Sequence, residues 1–365
     1  MLVKRLLTPV PGLPSKTPLL PIALGIVLTF FAWIGCVSTA VAQQAAGNEE
    51  PKVPPSVEIH NQDPGRLTTA DGVKLAATYY PGTKGKESVP VILLHDYKGS
   101  SSDYGQLASY LQSQGHAVLV PDLRGHGEST ERIGSTMELD AAKMPPVEFG
   151  RMITVDMEVL KNFLWGENNA QKLNIERLCV VGAGMGASVA LNWTRLDWVR
   201  PPIGYKKQGQ DVKGLVLLSP AMKSQGLSLS TAMQAPPLTV RLGDPQLKRA
   251  LKDGNALQLG MVVPLDFRRE VSVMIVAGKL ERRSVADAKR LHTMFERFHP
   301  QPPPKDRAQE KDLFYGTLDT KLQGTKLLTA NLGLEKHIAK FIELRLVNRP
   351  FPWSERVKDP YSRPK

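Results

Sequence analysis

The stretch Cys179–Leu191, "CVVGAGMGASVAL", decides the fold. It opens on apolar residues that include the β-branched pair Val180 and Val181, as a buried strand does. Glycines then alternate at Gly182, Gly184 and Gly186, and a helix-forming run follows. This is the outline of a strand–turn–helix elbow, a sharp turn that exposes one residue above the end of a strand. The pattern predicts a strand over Ile175–Val181, Gly184 at its tip and a helix over Gly186–Trp193. At the exposed position stands Gly184, which has no side chain to present.

Outward from the elbow, strands and helices alternate. "VPVILLH" is a continuous apolar run ending at His95, as expected of a strand covered on both faces. "SDYGQLASYLQSQG" has helical spacing at Tyr104, Leu107 and Leu111, with Gly115 as its stop. "HAVLVPDLRGHGES" reads as a second buried strand and a glycine-rich loop, "FGRMITVDMEVLKNFLW" as a helix and "VKGLVLLSPA" as a strand. "VSVMIVAGK" and "SVADAKRLHTMFERF" repeat the strand-then-helix order, and "GTKLLTANLGLEKHIAKFIELRL" closes the series with helices. Ahead of them, "RLTTADGVKLAATYYPG" alternates around Asp71-Gly72, a β-hairpin signal. The whole predicts an α/β fold with a mostly parallel central sheet and helices on both faces.

The chain has 365 residues, 42% of them hydrophobic, enough for one large core. Residues 1–42 carry Lys4, Arg5 and Lys16, then the apolar run Leu19–Gly35, then Ala40 and Ala42 spaced as a cleavage site. That order reads as a secretory signal peptide. The alternatives are a membrane anchor over residues 19–37, a lipidated Cys36 or a short core helix marked by Pro18 and Pro21. Residues 43–63 are expected to be a flexible linker, 64–347 the folded domain, about 222–270 a short cap insertion, and 348–365 a basic, Pro-rich mobile tail. The net charge of +12 is spread along the chain and reads as solubility or as attraction to polyanions and anionic surfaces. No segment carries a nucleic-acid signature. The histidines and cysteines make no metal-ligand spacing, and no cofactor is implied. Cys179 reads as a small buried hydrophobe. A dinucleotide-binding reading of "GAGMGA" is weak, because the surrounding order of motifs differs.

Taken in order, the motifs resemble the α/β-hydrolase family from about Arg66 to Leu346. "LLHDYKGSSSDY" resembles the loop after the third strand, "VPDLRGHGES" the loop after the fourth and "GAGMG" the nucleophile elbow. "AGKLERRSVADAKRL" resembles the loop that bears the acid, and "LQGTKLL" the last loop, where a histidine normally precedes Gly-Thr. The resemblance implies an α/β-hydrolase fold and a triad of nucleophile, acid and histidine in that chain order. Its positions fall on Gly184, Glu281 and Gln323, and its oxyanion-loop positions on Asp96, Tyr97 and Met185.

Glycine cannot attack, and an amide is no base near neutral pH. Asp96 stands where the family prefers glycine. Its carboxylate either sits beside the oxyanion site, where it would disfavour developing negative charge, or faces solvent and caps a turn. Fallback candidates for a displaced catalytic set are His95 as base, with Ser188 or the loop Ser100–Ser102 as nucleophile. His126, His292 and His337 read as structural or surface residues. The expected function is that of an exported, non-catalytic member of the fold that binds a small molecule or protein in the former cleft. The alternatives are an ester or peptide hydrolase with displaced groups, and an envelope-surface or polyanion-associated protein.

Overall fold

The computed structural model describes residues 53–59, 67–200, 207–234, 266–305 and 310–356. The expected signal peptide, and residues 235–265 of the cap insertion expected over about 222–270, lie outside them.

Apolar runs too short for helices become strands, and the sheet they build has eight strands in the order β1-β2-β4-β3-β5-β6-β9-β10. These are β1 Val57–Ile59, β2 Ala77–Tyr80, β3 Pro90–Leu94, β4 Ala117–Pro121, β5 Leu178–Ala183, β6 Val212–Leu218, β9 Ser272–Gly278 and β10 Leu313–Leu318. A two-stranded hairpin, β7 Lys223–Ser224 with β8 Leu227–Ser228, stands apart. The first two strands pair antiparallel, and β2 pairs antiparallel with β4. From β4 to β10 every pairing is parallel.

Side chains alternate across the pleat, so each central strand feeds two cores. Val91, Leu93, Val118, Cys179 and Val181 meet helices α1 (Gly105–Ser113) and, further along the chain, α8 (Leu334–Ile342) on one face. Ile92, Leu94, Val180, Leu215 and Ile275 meet α3 (Met157–Asn169), α4 (Met185–Trp198) and α7 (Arg282–Glu296) on the other. Each such side chain, fully buried, contributes about 1.5–3 kcal/mol. Shorter helices complete the set: α2 Pro146–Arg151, α5 Leu229–Gln234 and α6 Phe267–Glu270.

The structure differs from the sequence reading in three places, the first being that the strand expected over Ile175–Val181 begins only at Leu178, after a 3-10 turn at Ile175–Arg177. Val57–Ile59, inside the stretch read as linker, adds an edge strand to the sheet in register with Ala77–Tyr79. The hairpin expected around Asp71-Gly72 is present, its arms joined by the antiparallel bridge of Thr68 with Lys74 and by the Leu75 N–H donating to the Leu67 carbonyl at 3.0 Å. Asp71 is drawn inward there: it accepts from the Thr69 hydroxyl at 2.7 Å and from Arg124 at 2.9 Å. Arg124 is fully buried and also binds Glu148 and Asp156.

The third difference is the tail. Asn348–Arg356 lies against the domain rather than free of it. The amides of Asn174, Asn168 and Asn169 donate to the carbonyls of Phe351, Ser354 and Arg356 at 2.9, 3.0 and 2.7 Å. The Arg356 guanidinium binds Glu176 at 2.7 Å and the buried Asp211. A buried carboxylate needs a cation, and this one takes it from the tail.

Asp211 has a second cation in Lys161, 1% exposed, which bridges Asp211 at 2.9 Å and Asp197. Lys161→Met removes the shared ammonium and leaves two buried carboxylates short of charge. The expected loss is about 3–5 kcal/mol, read by urea unfolding. A loss below about 1 kcal/mol would show that Arg356, Lys207 and the backbone satisfy the pair without it.

Candidate functional site

The central strand β5 ends at Ala183, α4 begins at Met185, and Gly184 between them has φ 50° and ψ −110°. That backbone is strained for an L-residue and free of penalty for glycine. The flanking glycines serve close approach: a Cβ at Gly182 would overlap the backbone of Gly186, and one at Gly186 the carbonyls of Leu94 and His95. The elbow therefore presses α4 onto the C-terminal ends of β3 and β5.

The volume above Gly184 is not empty. A Cβ built there would overlap the carboxylate of Asp96, which reaches over from the loop after β3. Asp96 Oδ1 accepts the N–H of Tyr97 at 2.7 Å and the N–H of Met185 at 2.8 Å. These are the two donors that the oxyanion-loop reading assigned to a developing negative charge. Neither the solvent-facing nor the turn-capping alternative for Asp96 describes its placement. Burial pushes its carboxyl above the ordinary carboxylate range, the two N–H bonds pull the other way, and nearby Asp103 adds to the rise.

The last loop closes on the same carboxylate. Gly324, with φ +58°, lies beside Asp96 Oδ2, where a Cβ would come within 2.8 Å. Its neighbour Gln323 brings its amide close enough to the Glu281 carboxylate to favour the charged form. Glu281 caps α7, accepting the N–H groups of Ser284 and Arg283. The Ser284 N–H first and the Gln323 amide second hold its carboxyl below the ordinary range. Glu281 and Gln323 thus pair as acid and third member, with an amide where a base would have to be.

The fallback residues are placed differently. His95 is fully buried; its Nδ1 is 2.7 Å from the Asp96 carbonyl, and its Nε2 accepts the Leu123 N–H at 3.0 Å. Both ring nitrogens are occupied in a neutral imidazole, and burial pushes its pKa down to about 4. Ser188 is fully buried in α4, and its hydroxyl has no hydrogen-bond partner among the described residues. Ser100 and Ser102 bond each other through their hydroxyls at 2.7 Å, and the Ser101 N–H donates to Asp122. No histidine bonds any of these serines among the described residues. His126, buried, packs its ring 5.0 Å from His95 and 5.9 Å from Tyr97.

What the sequence reading missed is that two departures are one exchange of volume. A side chain is absent at Gly184 and present at Asp96, and the second fills the space of the first. The signal was available as a small-for-large and large-for-small pair at two positions expected to face one site.

Residues 86–253 match the family described as Serine aminopeptidase, S33. Uncharacterized proteins from two strains of Mycobacterium tuberculosis are 28% identical over 136 residues, 37% of this chain and 41% of theirs. The chain thus spans about two fifths of the length of the curated relatives it matches. Among solved structures, the Pyrococcus furiosus esterase Pf2001 is 17% identical with a TM-score of 0.46, over 80% of this chain and 92% of that one. Est1E from Butyrivibrio proteoclasticus, seen with ferulic acid, is 17% identical with a TM-score of 0.45, over 76% and 98%.

Two expectations follow. Gly184→Ala costs about 2–4 kcal/mol from backbone strain and from overlap with Asp96. In the double variant Asp96→Gly/Gly184→Ala the overlap is gone, so the two costs fall short of adding by more than about 1 kcal/mol in an unfolding cycle. Strict additivity would mean that the side chains do not share the space. His95, its pKa depressed in the folded state, stabilises the protein above the ordinary histidine pKa of about 6.5. That stabilisation is lost as pH falls toward about 4. Its imidazole NMR signals should stay in the neutral form until then, and a midpoint near 6.5 would contradict the assignment.

Proposed function

We propose that the chain is an exported, non-catalytic protein of the α/β-hydrolase family that binds or scaffolds through the former active-site cleft. One observation carries this reading: the Asp96 carboxylate occupies both N–H donors of Tyr97 and Met185 in the space over Gly184. Acyl transfer needs an attacking group, a base within hydrogen-bond reach and donors free for the oxyanion. Gly184 supplies no attacking group, Gln323 supplies no base, and the donors are bonded to an anion already. A tetrahedral oxyanion would have to displace a carboxylate of like charge from the same two hydrogen bonds. A bound ligand meets Asp96 Oδ2 instead, which favours groups that donate hydrogen bonds or carry positive charge.

Export rests on the basic, apolar and small-residue order of residues 1–42. Protein recovered from the exported fraction should begin at Gln43. That material should hydrolyse no activated ester above a lysine background and take no fluorophosphonate label. Gly184→Ser alone should stay silent, since its side chain overlaps Asp96 and finds no base. Asp96→Gly/Gly184→Ser/Gln323→His rebuilds donors, nucleophile and base together and should acquire the label. Stoichiometric labelling of the unmodified protein at any serine would overturn the non-catalytic reading.

A further inference from the structure

At the other end of the sheet from the elbow, where β4 begins, lies a cavity of about 480 Å³ between the C-terminal end of α1 and helix α8. Its cationic lining is Lys84, Lys336 and Lys340, and its floor is His116. Lys340 is committed to Glu343, 2.8 Å away. Lys84 and Lys336 form no ion pair among the described residues. Lys84 is also positioned: its stem runs over Gly115, whose φ of +89° leaves no Cβ to obstruct it, and a Cβ there would meet the lysine Cε at 2.6 Å. The side chain is exposed beyond that stem, and its charge is felt at His116.

His116 is the second and independent observation. Its side chain is 5% exposed, and its Nδ1 has no hydrogen-bond partner among the described residues. Buried polar groups are nearly always paired, so an orphaned imidazole lining a cavity is a group lacking its partner. Burial, reinforced by the Lys84 charge, pushes its pKa down to about 4. An anion in the cavity would offset the second of these influences, the lysine charge.

We propose that this cavity is a binding site for a phosphomonoester, its phosphate held by Lys84 and Lys336 over the His116 imidazole. Two uncommitted ammonium groups match a dianion, and donors arriving from the loop before β3, from α8 and from the floor suit a tetrahedral oxyanion better than a planar one. The volume exceeds that of a phosphate group, and Ala339, Val347 and the Tyr110 ring leave an apolar wall for the organic part of the ligand. The site is independent of the elbow and of whether the elbow is catalytic.

The test is titration of the full mature chain with inorganic phosphate, phenyl phosphate and acetate at constant ionic strength. The readouts are the His116 imidazole signals by NMR and the heat of binding. One-site saturation is expected, with phenyl phosphate tighter than phosphate and His116 taking up its proton nearer neutral pH when loaded. Lys84→Ala/Lys336→Ala, two exposed positions, should weaken binding at least about tenfold with unchanged unfolding. His116→Gln should weaken it while leaving both lysines in place. His116 signals that do not move, equal affinity in the double lysine variant, or acetate binding as tightly as phosphate would each overturn the proposal.

Discussion

Two backbone N–H groups, on Tyr97 and Met185, point into one small volume, and a single carboxylate satisfies both. Everything distinctive about the elbow follows from that arrangement. Convergent donors over the start of a helix attract negative charge, and they are costly to bury unmet. Asp96 meets them from within the chain. In doing so it joins the loop after β3 to the first turn of α4, and its second oxygen abuts Gly324 of the last loop. Of the two charge-assisted hydrogen bonds, each worth about 1.5–3 kcal/mol, the one from Met185 ties the loop after β3 to the elbow. Both donors are thereby engaged within the fold itself.

Much of this was legible in the residues, and the reason is locality. β3, β4 and β5 are contiguous apolar runs buried on both faces, and such runs announce strands without reference to any partner. The elbow was readable because alternate glycines have few other uses between a strand and a helix. Glu281 and Gln323 were placed by chain order, and the fold brings them near each other. The elements that escaped are those whose structure is decided at a distance. Val57–Ile59 is too short to signal a strand and becomes one because the open edge of β2 accepts it. The Asp71 carboxylate is committed to Arg124, 53 residues away, which no local pattern at the turn announces. The direction of the Asp96 side chain depends on what is missing at Gly184, 88 positions later, and no local pattern records that.

The sheet thus carries two ends of opposite character. At the carboxyl ends of the strands stand Asp96, Asp103 and Glu281, with the loops drawn tightly around them. At the amino end of β4, cations from α8 and from the loop before β3 surround an imidazole with no partner. The net charge of +12 looks evenly scattered when read along the chain. Folding sorts part of it, placing acids where the family resemblance led one to expect chemistry and bases where it predicted nothing.

The docked segment at Arg356 has a bearing on how the molecule is made. Its guanidinium meets Asp211 across 145 residues of sequence, and Asn168, Asn169 and Asn174 wait for carbonyls of the same segment. During synthesis the central strands can form and pack as they emerge, since their partners lie nearby in the chain. The ionic ring of Glu176, Asp211 and Arg356 cannot close until translation has passed residue 356. Until then the nascent chain holds an acid-rich seam with Lys161 and Lys207 as its cations, so the last contact to form is also the one that reports the polypeptide as complete this far.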